Sequence, residues 1–502
     1  MSYQKLSEPP AGTTTSLFES DGFRQSLDTG HNDISEQDSR GYAQELGRVS
    51  SESSESIKDL DDLESLDALD IHDGLLPNNQ TANLGANEML IALTEQSGKS
   101  NLKMAFMNMA NSIIGAGIIG QPYAVRQSGL IAGAILLVVL TVVIDWTIRL
   151  MVTNAKMSGT DTFQSTVSAC FGKIGLITIS VAQGAFAFGG SMAFCVIIGD
   201  TIPHVINAIF PSLRSIPVIG FLTRRNPIII IFTMGISYPL ALNRNISHLA
   251  KASGLALISM LIIVLTVVVR GPAIDVPNAK FTAPLLTINS GIFQGISVIS
   301  FAFVCHHNSL LIFESLKTPT MDRFALVTHW STGVSMIACM VMGIGGFLIF
   351  KDQTRGNILN NFPADDTMSN IARFCFGFNM LTTLPLEIFV CREVFLNYFF
   401  PQQVHDYRKH FITTTVLVVS AMCVALTTCN LGAILELVGA SSACTMAYIL
   451  PPMCFLKLSQ KRLVKKLPAY ACIIFGVVVM ILSTVQTLAK LAKGSEEDHC
   501  SV

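Results

Sequence analysis

Charged residues are scarce in this chain. Asp, Glu, Lys and Arg make up only 14% of its 502 residues, whereas 50% are hydrophobic and the mean hydropathy is +0.51. An average soluble domain has about 25% charged residues. The composition therefore excludes a soluble domain and is typical of a polytopic membrane protein.

The patterns that mark catalytic and metal sites are also missing. The sequence has no Cys-x-x-Cys set, no group of His and Glu at metal-ligand spacing, and no nucleophile–base pair in or between the apolar stretches. Most of the twelve cysteines lie inside apolar stretches. The loops on the side of the membrane away from the cytosol offer no plausible disulfide pair. We predict a protein that is not an enzyme, needs no cofactor and binds no nucleic acid.

The chain has no apolar stretch before residue 100, so we expect no signal peptide and a first span that acts as its own insertion signal. Residues 1–98 are rich in Ser, Asp, Glu and Gln, and the first 100 residues contain 19 acidic against 6 basic residues. Such a segment has too few apolar residues to bury a core. We predict a disordered acidic cytosolic tail over residues 1–98, with docking onto the membrane core or onto a trafficking or regulatory partner as the alternative.

From residue 101 onward, apolar stretches alternate with short polar joints, and eleven stretches are long enough to span a bilayer. We predict an all-α polytopic membrane protein whose eleven transmembrane helices occupy residues 99–490. The expected bounds are 101–126, 129–153, 173–200, 226–243, 247–270, 288–315, 324–350, 369–397, 411–429, 431–456 and 467–490.

Lysine and arginine in the loops indicate the orientation. Loops on the side of the tail hold twelve of these residues, among them Lys156 and Lys317, whereas the opposite loops hold chiefly six, among them Lys280 and Lys351. The excess predicts a cytosolic N-terminus and places a short C-terminal tail, residues 491–502, on the far side of the membrane.

The first span contains polar and flexible residues at its centre. Asn111 and Ser112 precede Gly115 and Gly117 in this otherwise apolar stretch. Unpaired backbone groups in hydrocarbon cost several kcal/mol each, so a broken helix survives only where protein shields it or where it lines a cavity. Discontinuous helices of this kind hold the substrate in secondary transporters. The plainer interpretation is that the glycines let a neighbouring helix approach closely.

The sixth span carries a second anomaly, with His306, His307 and Asn308 at mid-bilayer. These side chains are expensive there unless they face water, substrate or one another. The first and sixth spans each open a block of five, which is the spacing of an inverted five-plus-five repeat with discontinuous helices 1 and 6, plus one extra helix. Two unusual helices at matching positions favour a transporter over local packing.

Five separated motifs resemble the amino acid/auxin permease family. In the printed sequence they read NSIIGAGIIGQPY at 111–123, SGTDT at 158–162, GDT at 199–201, SFAFVCHHN at 300–308 and PLEIFVCREV at 385–394. The similarity is to the branch of fungal vacuolar amino-acid transporters and animal sodium-coupled neutral amino-acid transporters, and it covers about residues 99–490. It implies a broken-helix fold of five plus five plus one, an amino-acid substrate, and a vacuolar or other endomembrane location.

A zwitterionic amino acid needs partners for both of its charged groups in a dry site. Exposed N–H groups at a glycine-rich break, at the positive end of a half helix, suit the carboxylate, and free carbonyls suit the ammonium. The candidate substrate-binding residues are Ser112, Ile114, Gly115, Ala116, Gly117, Phe301, Phe303 and Cys305. Simple packing is the alternative for the aromatic residues.

A coupling sodium ion would need hard oxygen ligands. Thr382 and Thr383 provide adjacent hydroxyls near mid-membrane in the eighth span, and Asn111 offers an oxygen beside the first break. The resemblance implies a first-helix Asn and an eighth-helix Thr at these positions. Threonine in a spanning helix more often bonds to its own turn, so the alternative stays open.

Protons are the rival coupling ion, because the vacuolar members of the resembling family use them. His306 and His307 have side chains that titrate near the working pH, and Glu436 lies inside the tenth span, so these three are the candidates for a proton relay. The alternative for Glu436 is a buried carboxyl bonded to a neighbouring helix.

Two further acids are interpreted as structural. Asp145 has Arg149 one turn away, which predicts a local ion pair. Glu387 precedes Arg392 and Glu393, so we assign all three to a belt of charges at the cytosolic end of the eighth span.

Two classes of function stay open. The leading one is secondary active transport of amino acids, neutral ones above all, coupled to protons or sodium by alternating access. The alternative is an amino-acid sensor that keeps the transporter fold and signals through its tail. A passive channel would not need two matched broken helices.

Deletion of residues 1–95 should leave transport per folded molecule within about twofold of the full chain, because no spanning segment depends on the tail for packing. Uptake by purified protein reconstituted into vesicles measures this. Complete loss of uptake by the truncated, folded protein would make the tail part of the transport machinery.

Overall fold

The structure, a computed structural model, describes residues 100–243, 253–400, 406–460 and 462–493. The predicted acidic tail and most of the predicted C-terminal tail lie outside the described residues. Within them, eleven helical segments are long and apolar enough to cross a membrane, which confirms the predicted number. We number them span 1 to span 11, with bounds Leu102–Ser128, Leu130–Ser158, Phe163–Ile209, Arg225–Leu242, Leu255–Ala273, Ile292–Ser315, Met321–Gln353, Thr367–Phe399, Tyr407–Thr427, Leu431–Leu458 and Leu463–Ala492.

Six spans contain one regular α-helix that crosses the membrane. These helices are Leu130–Ser158 in span 2, Ser253–Arg270 in span 5, Met321–Phe350 in span 7, Thr367–Phe399 in span 8, Tyr407–Thr427 in span 9 and Leu463–Ala492 in span 11. Side chains cap several of them: Asp366, for example, accepts a hydrogen bond from the Ser369 N–H at 2.9 Å at the start of span 8.

The remaining five spans are interrupted. Span 1 consists of Leu102–Ile114, a 3₁₀ turn Ala116–Gly120 and Gln121–Ser128, and span 6 of Ile292–Phe303 and His306–Ser315. Spans 4 and 10 contain π-helical turns, and span 3 bends at Gly172, whose φ is +61°. Both predicted breaks, in spans 1 and 6, are therefore confirmed. The inverted symmetry of the two blocks of five stays a prediction.

Short helices and turns connect the spans. They are Pro211–Ser215 and Pro217–Leu222 before span 4, Ala283–Leu286 after span 5 and Ile358–Asn361 after span 7, while the 3₁₀ turns Gly271–Ala273 and Lys351–Gln353 form the ends of spans 5 and 7. The joint between spans 1 and 2 is the single residue Gly129, with φ at +90°. A Cβ there would stand 2.6 Å from the Thr287 carbonyl oxygen, so only glycine fits this turn.

Burial identifies the centre of the molecule. We compare the most apolar 18 residues of each span. The buried share of these residues is 89% in span 6, 78% in span 10 and 72% in span 3, but only 28% in span 11. Spans 3 and 8 pack against each other along much of their length. Spans 3, 6 and 10 therefore lie inside the bundle, where other helices shield their free backbone groups from lipid.

The cysteines differ in one respect from the prediction. Those that the structure describes as free thiols are mostly buried in spans, as expected. Cys429, in the joint between spans 9 and 10, is disulfide-bonded. The expectation that the loops on the non-cytosolic side offer no disulfide was therefore wrong.

A polar cluster joins four elements at the face opposite the start of span 1, which we call the opposite face. Asp200 of span 3 lies 3.4 Å from the Arg225 Nε of span 4, and the Asn357 and Asn360 amides donate to its other oxygen at 3.1 and 3.0 Å. Arg225 also donates to the Ala425 carbonyl at 3.1 Å. The loop after span 7 is thereby fixed to spans 3, 4 and 9.

Replacing Arg225 with Met should lower the free energy of unfolding by about 3 kcal/mol, because it leaves the buried Asp200 carboxylate without its cation. Thermal unfolding in detergent measures the loss. Adding Asp200→Asn to Arg225→Met should recover part of it, because the remaining charge is also removed. A double variant less stable than the single Arg225→Met variant would contradict this reading of the pair.

Candidate functional site

The two helix breaks touch each other. A Cβ added to Gly117 would stand 2.4 Å from the Ala302 Cα and 2.2 Å from its Cβ, so the backbones of spans 1 and 6 meet in direct contact. Side chains add a second link, since the Asn308 amide donates to the Ser112 hydroxyl at 3.5 Å. The plainer interpretation of the first-span glycines, close helix approach, is therefore correct for Gly117, and the approaching element is the other broken span.

A cavity of about 440 Å³ lies beside this contact. It is bounded by spans 1, 3, 6 and 8, and it extends to Ser100 and Ser315, at the face where span 1 begins. Its volume is within the range of small-molecule sites. The lining residues used below are Asn108, Asn111, Ser112, Gly115, Ala116, Gly117, Phe186, Gly190, Phe194, Phe301, His307, Thr383, Leu386, Glu387, Phe389 and Val390.

The structure brings part of the predicted substrate set to this cavity. Ser112, Gly115, Ala116, Gly117 and Phe301 line it. The remaining three predicted residues, Ile114, Phe303 and Cys305, are buried in the core and are not among the lining residues.

Aromatic rings form one wall of the cavity. The Phe186 ring of span 3 lies 5.3 Å from the Phe301 ring and 5.2 Å from the His307 ring, both measured between centroids. Phe194 and Phe389 add further aromatic surface. Sequence reasoning missed Phe186, Phe194 and Phe389, because nothing in their local pattern separates a cavity wall from packing.

Helix ends supply the polar groups of the site. Each break joins the C-terminal end of one helix to the N-terminal end of the next, and helix ends leave carbonyls and N–H groups without partners inside the helix. The carbonyl end of Leu102–Ile114 and the N–H end at Ala116 meet at Gly115, and those of span 6 meet at Val304 and Cys305. The arrangement offers both signs of partial charge to one ligand.

The predicted cation ligands separate into two groups. Asn111 and Thr383 line the cavity, whereas Thr382 does not. Both threonine hydroxyls donate to the Asn379 carbonyl of their own helix, at 2.9 Å for Thr382 and 2.8 Å for Thr383. The local bonding expected of threonine in a spanning helix is thus present, and only Thr383 keeps an oxygen at the cavity.

The predicted proton-relay residues are also divided. His307 lines the cavity, and its Nδ1 is buried without a hydrogen-bond partner among the described residues. His306 is fully buried, with its Nε2 at 3.1 Å from the Thr147 hydroxyl of span 2, and does not line the cavity.

Glu436 lies away from the cavity, in a network that connects spans 1, 6, 10 and 11. Tyr123 donates to one carboxylate oxygen at 2.8 Å, and Gln294 and Thr487 donate to the other at 3.1 and 2.8 Å. Lys490 donates to the Tyr123 hydroxyl at 2.7 Å. The alternative of a buried carboxyl bonded to neighbouring helices is correct for its geometry.

Glu387 is the main correction to the sequence-based assignments. It does not join a belt with Arg392 but lines the cavity, one turn after Thr383. Arg392 points elsewhere, with Nη1 donating to the Ala241 carbonyl at 2.9 Å and to the Thr414 hydroxyl at 3.0 Å. Five residues along a helix turn a side chain by about 140°, whereas four return it to the same face. The spacing from Thr383 was the signal that could have found Glu387.

The Asp145–Arg149 ion pair was predicted correctly, and its N···O distance is 2.7 Å.

Comparison with known proteins agrees with this architecture. A family described as transmembrane amino acid transporter protein matches residues 98–489. The chain belongs to this family. The family resemblance stated from the five motifs is thereby confirmed, and the family is one of transporters and not of enzymes.

Three relatives illustrate the similarity. The chain is 47% identical over 423 residues to vacuolar amino acid transporter 2 of Saccharomyces cerevisiae, covering 82% of this chain and 88% of that one. It is 36% identical over 413 residues to a Danio rerio protein provisionally named sodium-coupled neutral amino acid transporter 11, covering 81% and 91%. A Mus musculus protein with the same name is 32% identical over 418 residues, covering 82% and 91%.

Gly115→Val should reduce uptake at least about tenfold while the protein stays inserted and folded, because the new side chain enters the cavity that Gly115 lines and its Cβ stands 3.3 Å from the Asn111 carbonyl oxygen, a tight contact at the break. Gly117→Val should abolish uptake too, through overlap with Ala302. Gly333→Val is the matched control, since a Cβ on this span 7 glycine meets nothing within 4 Å. Radiolabelled uptake per folded molecule is the measurement, and near-normal uptake by both variants would remove the break from the mechanism.

Proposed function

We propose that this protein is a secondary active transporter that carries neutral amino acids across a membrane by alternating access, coupled to protons. The observation that carries the proposal is the contact of two broken helices, at Gly117 and Ala302, beside a cavity of about 440 Å³. Such breaks expose backbone groups that an amino acid can bind. Membership of an amino acid transporter family supports the substrate class.

The substrate would lie between the helix ends. Its carboxylate would face the N–H groups at Gly115, Ala116 and Gly117, at the positive end of the second half of span 1. Its ammonium would face the carbonyls that end Leu102–Ile114 and Ile292–Phe303. Both charges would then be satisfied by backbone groups, whatever the side chain.

The walls favour a neutral side chain. Phe186, Phe194, Phe301 and Phe389 surround the space beside the breaks, with aliphatic surface from Leu386 and Val390. Apolar walls stabilise an apolar side chain through burial, and they leave a charged one without partners. The zebrafish and mouse relatives carry the word neutral in their names.

The cavity has a route to one face. It extends to Ser100 and Ser315 at the face where span 1 begins. Toward the opposite face, a Cβ on Gly120 would meet the Leu435 side chain at 2.7 Å, and one on Gly356 would meet the Gly432 N at 2.6 Å. Close packing of spans 1 and 10 and the loop after span 7 thus closes that route. Rocking of the broken spans against spans 3 and 8 would open it.

Protons are favoured over sodium because few hard ligands converge. Of the three predicted sodium ligands, Asn111 and Thr383 line the cavity, whereas Thr382 does not. His307 is a titratable group in the cavity wall. In this proposal a relay through His306 or Glu436 would have to reach the cavity through their neighbours, Thr147 and Tyr123.

The host membrane follows from the relatives. The yeast relative is named as vacuolar, so we place this protein in the vacuolar membrane or another endomembrane. The excess of Lys and Arg in the loops supports a cytosolic N-terminus. The cavity would then face the cytosol in the described conformation, and the tail would be available to a cytosolic trafficking or regulatory partner.

Reconstituted vesicles with imposed gradients test the function. A proton gradient without sodium should drive accumulation of a radiolabelled neutral amino acid, and a sodium gradient at equal pH should not. Thr383→Val and its neighbour Thr382→Val should then respond alike to both gradients. Sodium-driven uptake whose apparent affinity falls about tenfold or more in Thr383→Val, but not in Thr382→Val, would establish a sodium site instead. Binding without accumulation would indicate a sensor.

A further inference from the structure

One carboxyl group in the cavity wall has no partner. Glu387 Oε2 is buried and accepts no hydrogen bond from any described residue. Span 3 lies beside it, because a Cβ on Gly190 would stand 3.6 Å from the Glu387 carboxyl carbon. The glycine lets the span 3 backbone approach the carboxyl without offering it a hydrogen bond.

The unsatisfied groups of the cavity lie together. Asn108 Oδ1 and His307 Nδ1 are also buried without a hydrogen-bond partner among the described residues, and both residues line the same cavity as Glu387. Buried polar atoms are normally paired, and exceptions call for a ligand or a functional explanation. Such atoms also occur elsewhere in the described residues, but these three belong to residues that line a cavity, where a ligand or a proton can supply the missing partner.

Among the described residues, no cation forms an ion pair with Glu387. Besides Glu387, His307 is the only titratable residue among those that line the cavity. Three cations or titratable groups on elements packed against span 8 have partners of their own: Arg270 of span 5 with Asp366, Arg225 of span 4 with Asp200, and His410 of span 9 with the Leu242 carbonyl. On span 8 itself, Arg392 donates to Ala241 and Thr414, and the Cys391 thiol donates to the Gly184 carbonyl.

The net charge of the substrate and Glu387 together limits which protonation states of Glu387 can be enclosed in a cavity closed to water. A neutral amino acid is a zwitterion with no net charge, so an ionised Glu387 beside it would leave a net negative charge inside the closed cavity. Burying an uncompensated carboxylate costs several kcal/mol. Protonation of Glu387 removes that charge and leaves the substrate's own carboxylate free of a like-charged neighbour.

We propose that Glu387 binds one proton together with each neutral amino acid, and that this shared occupancy couples the two fluxes as a symport. The inference rests on the proposed transport function and names the residue that carries its coupling ion. A proton from water on one side joins a Glu387 oxygen when the substrate enters, and it leaves from the same oxygen to water on the other side. No other bond forms or breaks.

The other acidic and basic candidates fit this role less well. Glu436 accepts hydrogen bonds from Tyr123, Gln294 and Thr487 away from the cavity. His306 has its Nε2 beside the Thr147 hydroxyl, and it does not line the cavity. Only His307 shares the cavity with Glu387, and as a neutral group it can relay a proton without changing the charge count.

The test compares Glu387→Gln with Glu393→Gln in proteoliposomes. Gln keeps the shape of Glu387 and imitates its protonated state, and Glu393 is a matched control on the same helix, paired with Arg392 at 3.8 Å. Two readouts are measured for each protein. The first is accumulation driven by a pH gradient, with proton movement followed by a pH-sensitive dye, and the second is counterflow, the exchange of labelled for unlabelled amino acid at equal pH.

Glu387→Gln should lose gradient-driven accumulation, its pH dependence and the accompanying proton flux, while counterflow stays within about threefold of the unmodified protein. Glu393→Gln should retain all of these activities, and Glu387→Asp should recover part of the proton flux. His307→Gln should slow the flux and keep one proton per amino acid.

Two results would overturn the assignment. In one, Glu387→Gln still accumulates substrate against its gradient with a proton flux. In the other, folded Glu387→Gln loses counterflow as completely as accumulation, which would make Glu387 a substrate ligand and not a proton site. Failure of the proposed function looks different, since the unmodified protein itself would then show no accumulation driven by a pH gradient.

Discussion

The contact between Gly117 and Ala302 is the constraint on which the rest of the structure depends. It brings two helix breaks to one place, because no side chain stands between the backbones at that point. Two carbonyl ends and two N–H ends then meet in the centre of the bundle. Such free ends are tolerated inside a membrane only where protein encloses them, which explains why spans 1 and 6 are enclosed by the others.

The buried carboxylates differ in how they are paired. Asp200 and Glu436, which hold helices together, accept hydrogen bonds from side chains of neighbouring elements. Around the cavity, Asn108, His307 and Glu387 keep buried atoms without partners. A satisfied network fixes one arrangement, whereas unsatisfied groups are open to a ligand or a proton.

Sequence alone could not show which residues near a break line the cavity. Ile114, Phe303, Cys305 and Thr382 do not line it, and their proposed roles stay predictions. Neighbouring residues on a helix point about 100° apart, so closeness in sequence does not place two side chains on one face. Glu387 was assigned to Arg392 on nearness alone, although its helical face is that of Thr383. The disulfide at Cys429 was missed for a related reason, since distant segments of the chain that meet in space leave no local pattern.

The sequence by itself determined the eleven spans, their approximate bounds, the two breaks and the family, because hydrophobic length, glycine placement and motif order are local properties of the chain. Only the tertiary structure decided which side chains face the cavity and which polar groups find partners. These depend on how helices distant in sequence rotate and pack: Phe186 of span 3 reaches the breaks, and Gly190 leaves Glu387 without a partner. Packing between helices, and not propensity within them, sets those rotations.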